Sequence, residues 1–165
     1  QLQKQVWLSE MDESQLRLLA DNSRVECYAT YENLVSEGLE GDSMFVVLSG
    51  SAKVLVTGEI GREIDVATKS EGEFFGEMSL LTGEPRTATV RAKTDMEVIV
   101  IDKKAFVDIL LKDSKILEIL VNVLESNQSS LTTIIEEERK NSNSTKQSAR
   151  GIIMDRIKSY LGIAE

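Results

Sequence analysis

The sequence predicts an α+β domain, a small antiparallel barrel of short strands with helices at both ends. Three observations carry that prediction. Between residues 25 and 101 the chain breaks into short β-prone runs separated by glycine-centred turns at 37–42, 49–50, 58–61 and 70–72. Upstream, Leu8, Met11, Leu16, Leu18 and Leu19 lie in a strongly helix-forming composition. Downstream, apolar residues recur at helical spacing from Ile116 onward.

Taken in order, residues 1–24 form an N-terminal helical segment, with Ser9 and Asp12 as cap residues. Residues 25–102 form the barrel. Its first run, 25–31, contains Cys27; the runs 44–48, 52–57 and 62–68 follow through tight turns, and the alternation of Ile64 and Val66 turns one face inward. Runs 87–92 and 96–101 close the fold. Residues 103–140 are helical, first over 103–111 and then, past a break at 112–114, in a longer segment. There Ile116, Ile119, Leu120, Val123 and Leu124 form a stripe that Leu131, Ile134 and Ile135 resume after the polar 126–130. Its expected role is to pack against the barrel, and pairing with a second copy explains the same stripe. Residues 141–148 are an uninterrupted Ser- and Asn-rich linker, so 141–165 reads as a linker followed by a short helix carrying Ile152, Ile153, Ile157, Tyr160 and Leu161.

The composition narrows the function. A chain of 165 residues can bury one core with material left for extensions. Against 28 acidic residues stand 19 Lys and Arg, a formal charge of -9, which argues against a phosphate-tracking nucleic-acid surface. The single cysteine, Cys27, excludes an intramolecular disulfide, predicts a reducing compartment and reads as a core thiol. The sequence contains no histidine, which removes the usual general base, the commonest zinc ligand and the usual pH switch, so neither an enzyme nor a metal site is expected. No apolar run approaches the ~20 residues that span a bilayer, and no signal peptide is present. The chain begins at Gln1 without a methionine and is read as a piece of a longer protein.

The most informative stretch is FFGEMSLLTGEPRTATVRA, residues 74–92. Phe74 and Phe75 end a strand, Gly76 permits close backbone approach, and the short helix opened by Glu77 points its first N–H groups at an anion. Pro85 stiffens the return, and Arg86 presents a planar fork suited to two phosphate oxygens. The layout is that of a phosphosugar cradle. The competing reading pairs Glu77 with Arg86 at a surface, or makes Arg86 a structural salt bridge to another acid and Glu77 a helix N-terminal charge.

This run resembles the phosphate-binding cassette of cyclic nucleotide-binding domains, where a Phe-Gly-Glu start, a short helix and a Pro-Arg-X-Ala-Thr-Val finish recur together. The spacing of Gly38, Gly41, Gly50 and Gly72 ahead of it resembles the family's jelly-roll-like β-roll. The resemblance implies cAMP or cGMP as regulatory ligand, with cAMP the more frequent in the family, and no other cofactor. It implies that Arg86 holds the phosphate, with Gly76, Met78, Ser79, Thr87 and Ala88 around it, and that Glu77 accepts from the ribose 2′-hydroxyl. It further implies that Val54 and Val66 face the base and that Leu131 and Thr132, with Ile135 beyond them, form a lid drawn over the pocket by ligand. Core packing explains Val54 and Val66 as well, and β-propensity explains Thr87. The hydroxyl of Thr87 can reach a guanine amino group, yet family members preferring cAMP also carry threonine there.

The cassette looks especially like those of bacterial ion channels of the small-conductance mechanosensitive or cyclic nucleotide-gated kind, and the tail RIKSYLGI at 156–163 is similar to theirs. That resemblance implies a membrane-channel domain upstream and a location on the cytoplasmic face of an inner membrane, and it is compatible with a homo-oligomer. A transcription regulator of the catabolite activator type is the alternative, but the residues past 141 are too few and too weakly basic for a winged helix-turn-helix. A cupin-like enzyme lacks its histidines, and a kinase regulatory subunit would show a second cassette.

Overall fold

The computed structural model describes residues 7–126 and 149–163. A 3-10 turn, Trp7–Glu10, leads into α1, Glu13–Asp21. Asp12 starts the helix by a reciprocal cap: its carboxylate accepts from the Gln15 N–H at 2.8 Å, and the Gln15 side-chain oxygen accepts from the Asp12 N–H at 3.0 Å. Of the two cap residues read from the sequence, Asp12 holds that role, and Ser9 lies within the 3-10 turn.

Eight strands follow: β1 (Arg24–Tyr28), β2 (Asn33–Val35), β3 (Ser43–Ser49), β4 (Ser51–Thr57), β5 (Glu63–Ser70), β6 (Phe74–Phe75), β7 (Thr89–Ala92) and β8 (Met96–Asp102). They form two antiparallel sheets, ordered β1-β8-β3-β6 and β2-β7-β4-β5, that face one another as a roll without merging into one closed barrel. Helix α2 (Glu77–Thr82) interrupts the roll between β6 and β7. Helices α3 (Lys103–Lys112), α4 (Lys115–Ser126) and α5 (Ala149–Leu161) complete the described chain. The break read at 112–114 is the α3–α4 junction, where the Asp113 N–H donates to the Ile109 carbonyl.

Strand β3 is buried on both faces, and this divides the interior in two. Phe45 and Val47 join Leu34, Ala52, Phe75, Val90, Val98 and Val100 between the sheets. Met44 and Val46 join Trp7, Leu19, Phe74, Leu80, Phe106, Ile116 and Leu120 under the helices. Adjacent residues of a strand point to opposite faces, so Phe74 and Phe75 belong to different cores. Phe75 stacks on Phe45 with ring centroids 4.9 Å apart, whereas Phe74 meets Trp7 edge-on.

Helix α5 is part of the fold. Ile157 and Leu161 are buried in the helical core beside Leu80 and Leu81 of α2, and the Lys103 ammonium lies 3.8 Å from the centroid of the Tyr160 ring. At the other end of α5 the Arg150 guanidinium donates to Asn122 and Glu125 of α4. Leu131, Thr132, Ile134, Ile135 and the 141–148 linker lie outside the described residues.

Two expectations fail. Cys27 is exposed, because β1 is an edge strand that pairs among the described residues only with β8, and Val25 on the same strand is 59% exposed. Ile64 and Val66 are also exposed, at 51% and 53%. The register passes from Val54 opposite Ala67 to Leu55 opposite Asp65, leaving Val66 as the unpaired residue of a β-bulge that breaks the alternation.

Ile116 is fully buried in the helical core. Truncation of Ile116 to alanine is expected to cost about 2–5 kcal/mol in urea unfolding of the chain; a loss below about 1 kcal/mol would show that α4 is not seated on the roll.

Candidate functional site

Where the sandwich opens between the two sheets, α2 and the turn before β7 border a cavity of about 230 Å³. Its walls are Val35, Val54, Ala67, Lys69, Phe75, Gly76, Glu77, Met78, Ser79, Arg86, Thr87, Ala88 and Val90. Gly76, Glu77, Met78, Ser79, Arg86, Thr87 and Ala88, the cassette residues assigned to the ligand from the sequence, are therefore all on this wall, together with Val54. Val66 is not, and Ala67 takes the place expected of it because the bulge shifts the inward phase by one residue. Leu131 and Thr132 are outside the described residues.

The local backbone explains why the cassette folds as it does. Gly76 has φ +80°, a left-handed conformation that turns the chain from β6 directly into α2, where it occupies the N-cap. Arg86 is clamped through its main chain, its N–H donating to the Leu39 carbonyl and its carbonyl accepting from the Gly38 N–H, both at 2.8 Å. This places the side chain inward, where Arg86 is only 7% exposed.

A buried guanidinium needs oxygen partners. Nη1 donates to the Ser43 carbonyl at 2.7 Å and to the Gly76 carbonyl at 3.0 Å, and Nη2 donates to the Ser43 hydroxyl at 3.0 Å. The Phe45 ring lies beneath, 5.8 Å from the guanidinium carbon. Burial pulls the Arg86 pKa below its ordinary value, opposed by the charges of Asp42 and Glu77. An arginine nevertheless stays charged across the physiological range.

The partition of donors is the chemically useful part. A guanidinium has five N–H groups, and among the described residues three are engaged. The two left over are Nε–H and one Nη2–H, which lie side by side on one edge and match two oxygens of a phosphate or carboxylate. Gly41 keeps that edge open: a Cβ there would come to 2.5 Å from both Cζ and Nη2 of Arg86. The sequence marks Gly41 as a turn residue and as one of the spaced glycines of the β-roll but not as a neighbour of Arg86, and it does not single out Ser43, since each meets Arg86 from more than forty positions away.

Around this edge the cavity changes character in an ordered way. Ser79 is buried at the start of α2, Glu77 contributes a carboxylate at the first helical position, and Val35, Val54, Val90 and Phe75 provide an apolar wall. Charge and backbone N–H groups at one end and an apolar floor at the other suit a small amphiphilic anion. Among the described residues no group of His, Cys, Asp or Glu side chains is arranged to hold a metal ion, and no helix is long and apolar enough to cross a membrane.

Comparison with known proteins agrees with this geometry. The family model described as "Cyclic nucleotide-binding domain" matches residues 25–113. A cAMP-dependent protein kinase regulatory subunit of Yarrowia lipolytica is 37% identical over 99 residues, covering 60% of this chain and 26% of that protein. The chain thus spans about a quarter of the length of the curated relatives it matches. Among solved structures, the regulatory domain of Toxoplasma gondii protein kinase A crystallised with cAMP has a TM-score of 0.63 at 27% identity, over 73% of this chain and 45% of that one. The catabolite activator protein of Thermus thermophilus superposes with a TM-score of 0.71 over 96% of this chain and 89% of that one; at 16% identity the likeness is one of fold.

A side chain at position 76 would have to adopt the left-handed conformation, and its Cβ would lie 2.8 Å from Arg86 Nη1 and 3.0 Å from the Ser43 carbonyl oxygen. Replacing Gly76 by alanine is therefore expected to destabilise the chain by at least about 1–2 kcal/mol in urea unfolding. Unchanged stability would mean that the turn into α2 is not the one described.

Proposed function

The chain belongs to the cyclic nucleotide-binding domain family, and we propose that it senses a 3′,5′-cyclic purine nucleotide in the cavity beneath α2. The observation that carries this reading is Arg86 on the wall of a cavity whose other end is apolar, with two of its five N–H donors unengaged among the described residues. In this reading Arg86 takes two oxygens of the cyclic phosphate, and the backbone around Gly76, Met78, Ser79, Thr87 and Ala88 supplies further N–H groups. Glu77 accepts from the ribose 2′-hydroxyl, a role suited to a carboxylate and one that would repel a phosphate placed beside it. Val54 and Ala67 form the floor under the base. Two relatives named as cAMP-dependent kinase subunits and the cAMP co-crystal of the Toxoplasma domain support a cyclic purine nucleotide as the ligand.

The output follows from packing. Ligand shifts a conformational equilibrium only by its differential contacts with the two states. Here α2, which borders the ligand, shares a core with α3, α4 and α5, so a nucleotide that favours one position of α2 favours one arrangement of those helices. Leu131 and Thr132 complete the reading as a lid.

For the protein as a whole we place the chain as the cytoplasmic C-terminal module of a bacterial ion channel, supported by the cassette FGEMSLLTGEPRTATV and the tail RIKSYLGI. The kinase relatives favour a second reading, a regulatory subunit. Expression of the full-length protein separates them. Recovery in the membrane fraction after carbonate washing is expected, and recovery as a soluble protein would contradict the channel reading.

Substitution of Arg86 by leucine removes both free donors and the charge. Calorimetric titration with cAMP or cGMP is expected to show at least about a 100-fold loss of affinity, two charged hydrogen bonds being worth about 1.5–3 kcal/mol each. Arg86→Lys keeps the charge but not the fork and is expected to lose about tenfold or more. Wild-type affinity in either folded variant would contradict the assignment.

A further inference from the structure

The cavity contains a second cation that the phosphate does not require. Lys69 lies on β5, half-buried, and lines the cavity with Ala67. Among the described residues its ammonium has no ion pair or side-chain hydrogen bond, whereas Lys53 is paired with Asp65 on the same hairpin. Its place follows from strand register. Val90, Val54 and Ala67 stand side by side on β7, β4 and β5, and the next inward rung is Ala92, Ala52 and Lys69. Arg86 and Thr87 precede Thr89, the first residue of β7, so Lys69 stands about 7 Å beyond the apolar floor on the side away from the phosphate edge. Ala52 and Ala92 are buried in the inter-sheet core, whereas Lys69, on the outer strand of the rung, lines the cavity.

We propose that Lys69 selects the base: a nucleotide anchored at Arg86 and lying on Val54, Ala67 and Val90 presents the outer edge of its purine to the Lys69 ammonium, which favours a 6-oxopurine over adenine. The proposal rests on the cyclic nucleotide reading of the cavity and specifies the ligand for it. An ammonium has three donors and no acceptor. Guanine offers two acceptors on that edge, O6 and N7, while adenine offers N7 beside an amino group that is itself a donor. Lys69 therefore satisfies guanine at two points and meets adenine with one attraction and one donor-to-donor conflict. Thr87, also on the cavity wall, has a hydroxyl able to accept from the 2-amino group of guanine, which permits that base without selecting it and leaves the selection to Lys69. The kinase relatives are named for the adenine nucleotide, and the proposal assigns this chain the other preference.

Inosine separates the two contributions, because cyclic IMP has the 6-oxo group of guanine and lacks its 2-amino group. The chain and its Lys69→Met variant are titrated by calorimetry with cGMP, cyclic IMP and cAMP. The wild type is expected to bind cGMP and cyclic IMP about tenfold or more tightly than cAMP, and Lys69→Met to weaken the first two about tenfold while leaving cAMP within about twofold. Equal affinity of the wild type for cyclic IMP and cAMP, or an equal loss for all three nucleotides in Lys69→Met, overturns the proposal and leaves the nucleotide cavity standing. A wild type that binds none of the three, or an Arg86→Leu variant that binds them unchanged, overturns the cavity reading and this proposal with it.

Discussion

Everything at the site depends on how one buried positive charge is satisfied. Arg86 is almost fully enclosed, and an enclosed guanidinium without oxygen partners would cost several kcal/mol. The chain supplies three partners, and two of them are main-chain carbonyls that cannot be lost by side-chain rotation. The Ser43 hydroxyl supplies the third. These bonds fix the plane of the fork and leave one edge free. The turns at Gly38–Leu39 and Gly76, the absence of a side chain at Gly41 and the ring of Phe45 all hold that geometry in place.

The two cores turn this local arrangement into a mechanical one. Phe74 and Phe75 are neighbours in sequence, yet one anchors the helical core and the other the inter-sheet core. Helix α2 begins two residues later and buries Leu80 and Leu81 against α5. Displacement of α2 by an occupant of the cavity cannot be absorbed in solvent, since close-packed interiors repack between discrete arrangements. Helix α5 is tied to both neighbours, through Lys103 to the start of α3 and through Arg150 to α4, and these contacts are the route by which the proposed movement of α2 would reach the last described helix.

Much of this is legible in the sequence where the signal is local. The cassette is contiguous, its glycine, glutamate and arginine have fixed spacing, and its ligand-assigned residues all reach one wall. The Asp12 cap and the break before α4 are local features of the same kind. What the sequence hides is long-range. Strict alternation turns Val66 inward because it cannot reveal a bulge that exists only as a mismatch with β4. Cys27 reads as core because its run looks like any strand, and only the sheet order shows β1 to be an edge. No pattern in a single sequence links Ser43 and Gly41 to Arg86 across so many positions, and Lys69 reaches the cavity through the same register that displaces Val66.

The central claim, that Arg86 is held by protein oxygens with its Nε edge reserved for an anion, has a direct spectroscopic test. The Arg86 Nε–H resonance, assigned by comparison with Arg86→Lys, is followed by NMR during titration with cyclic nucleotide. Bonding to a phosphate oxygen is predicted to move it downfield and to slow its exchange with water, saturating together with binding. A resonance that stays in place while nucleotide binds would contradict the account, because the anion would then be held elsewhere.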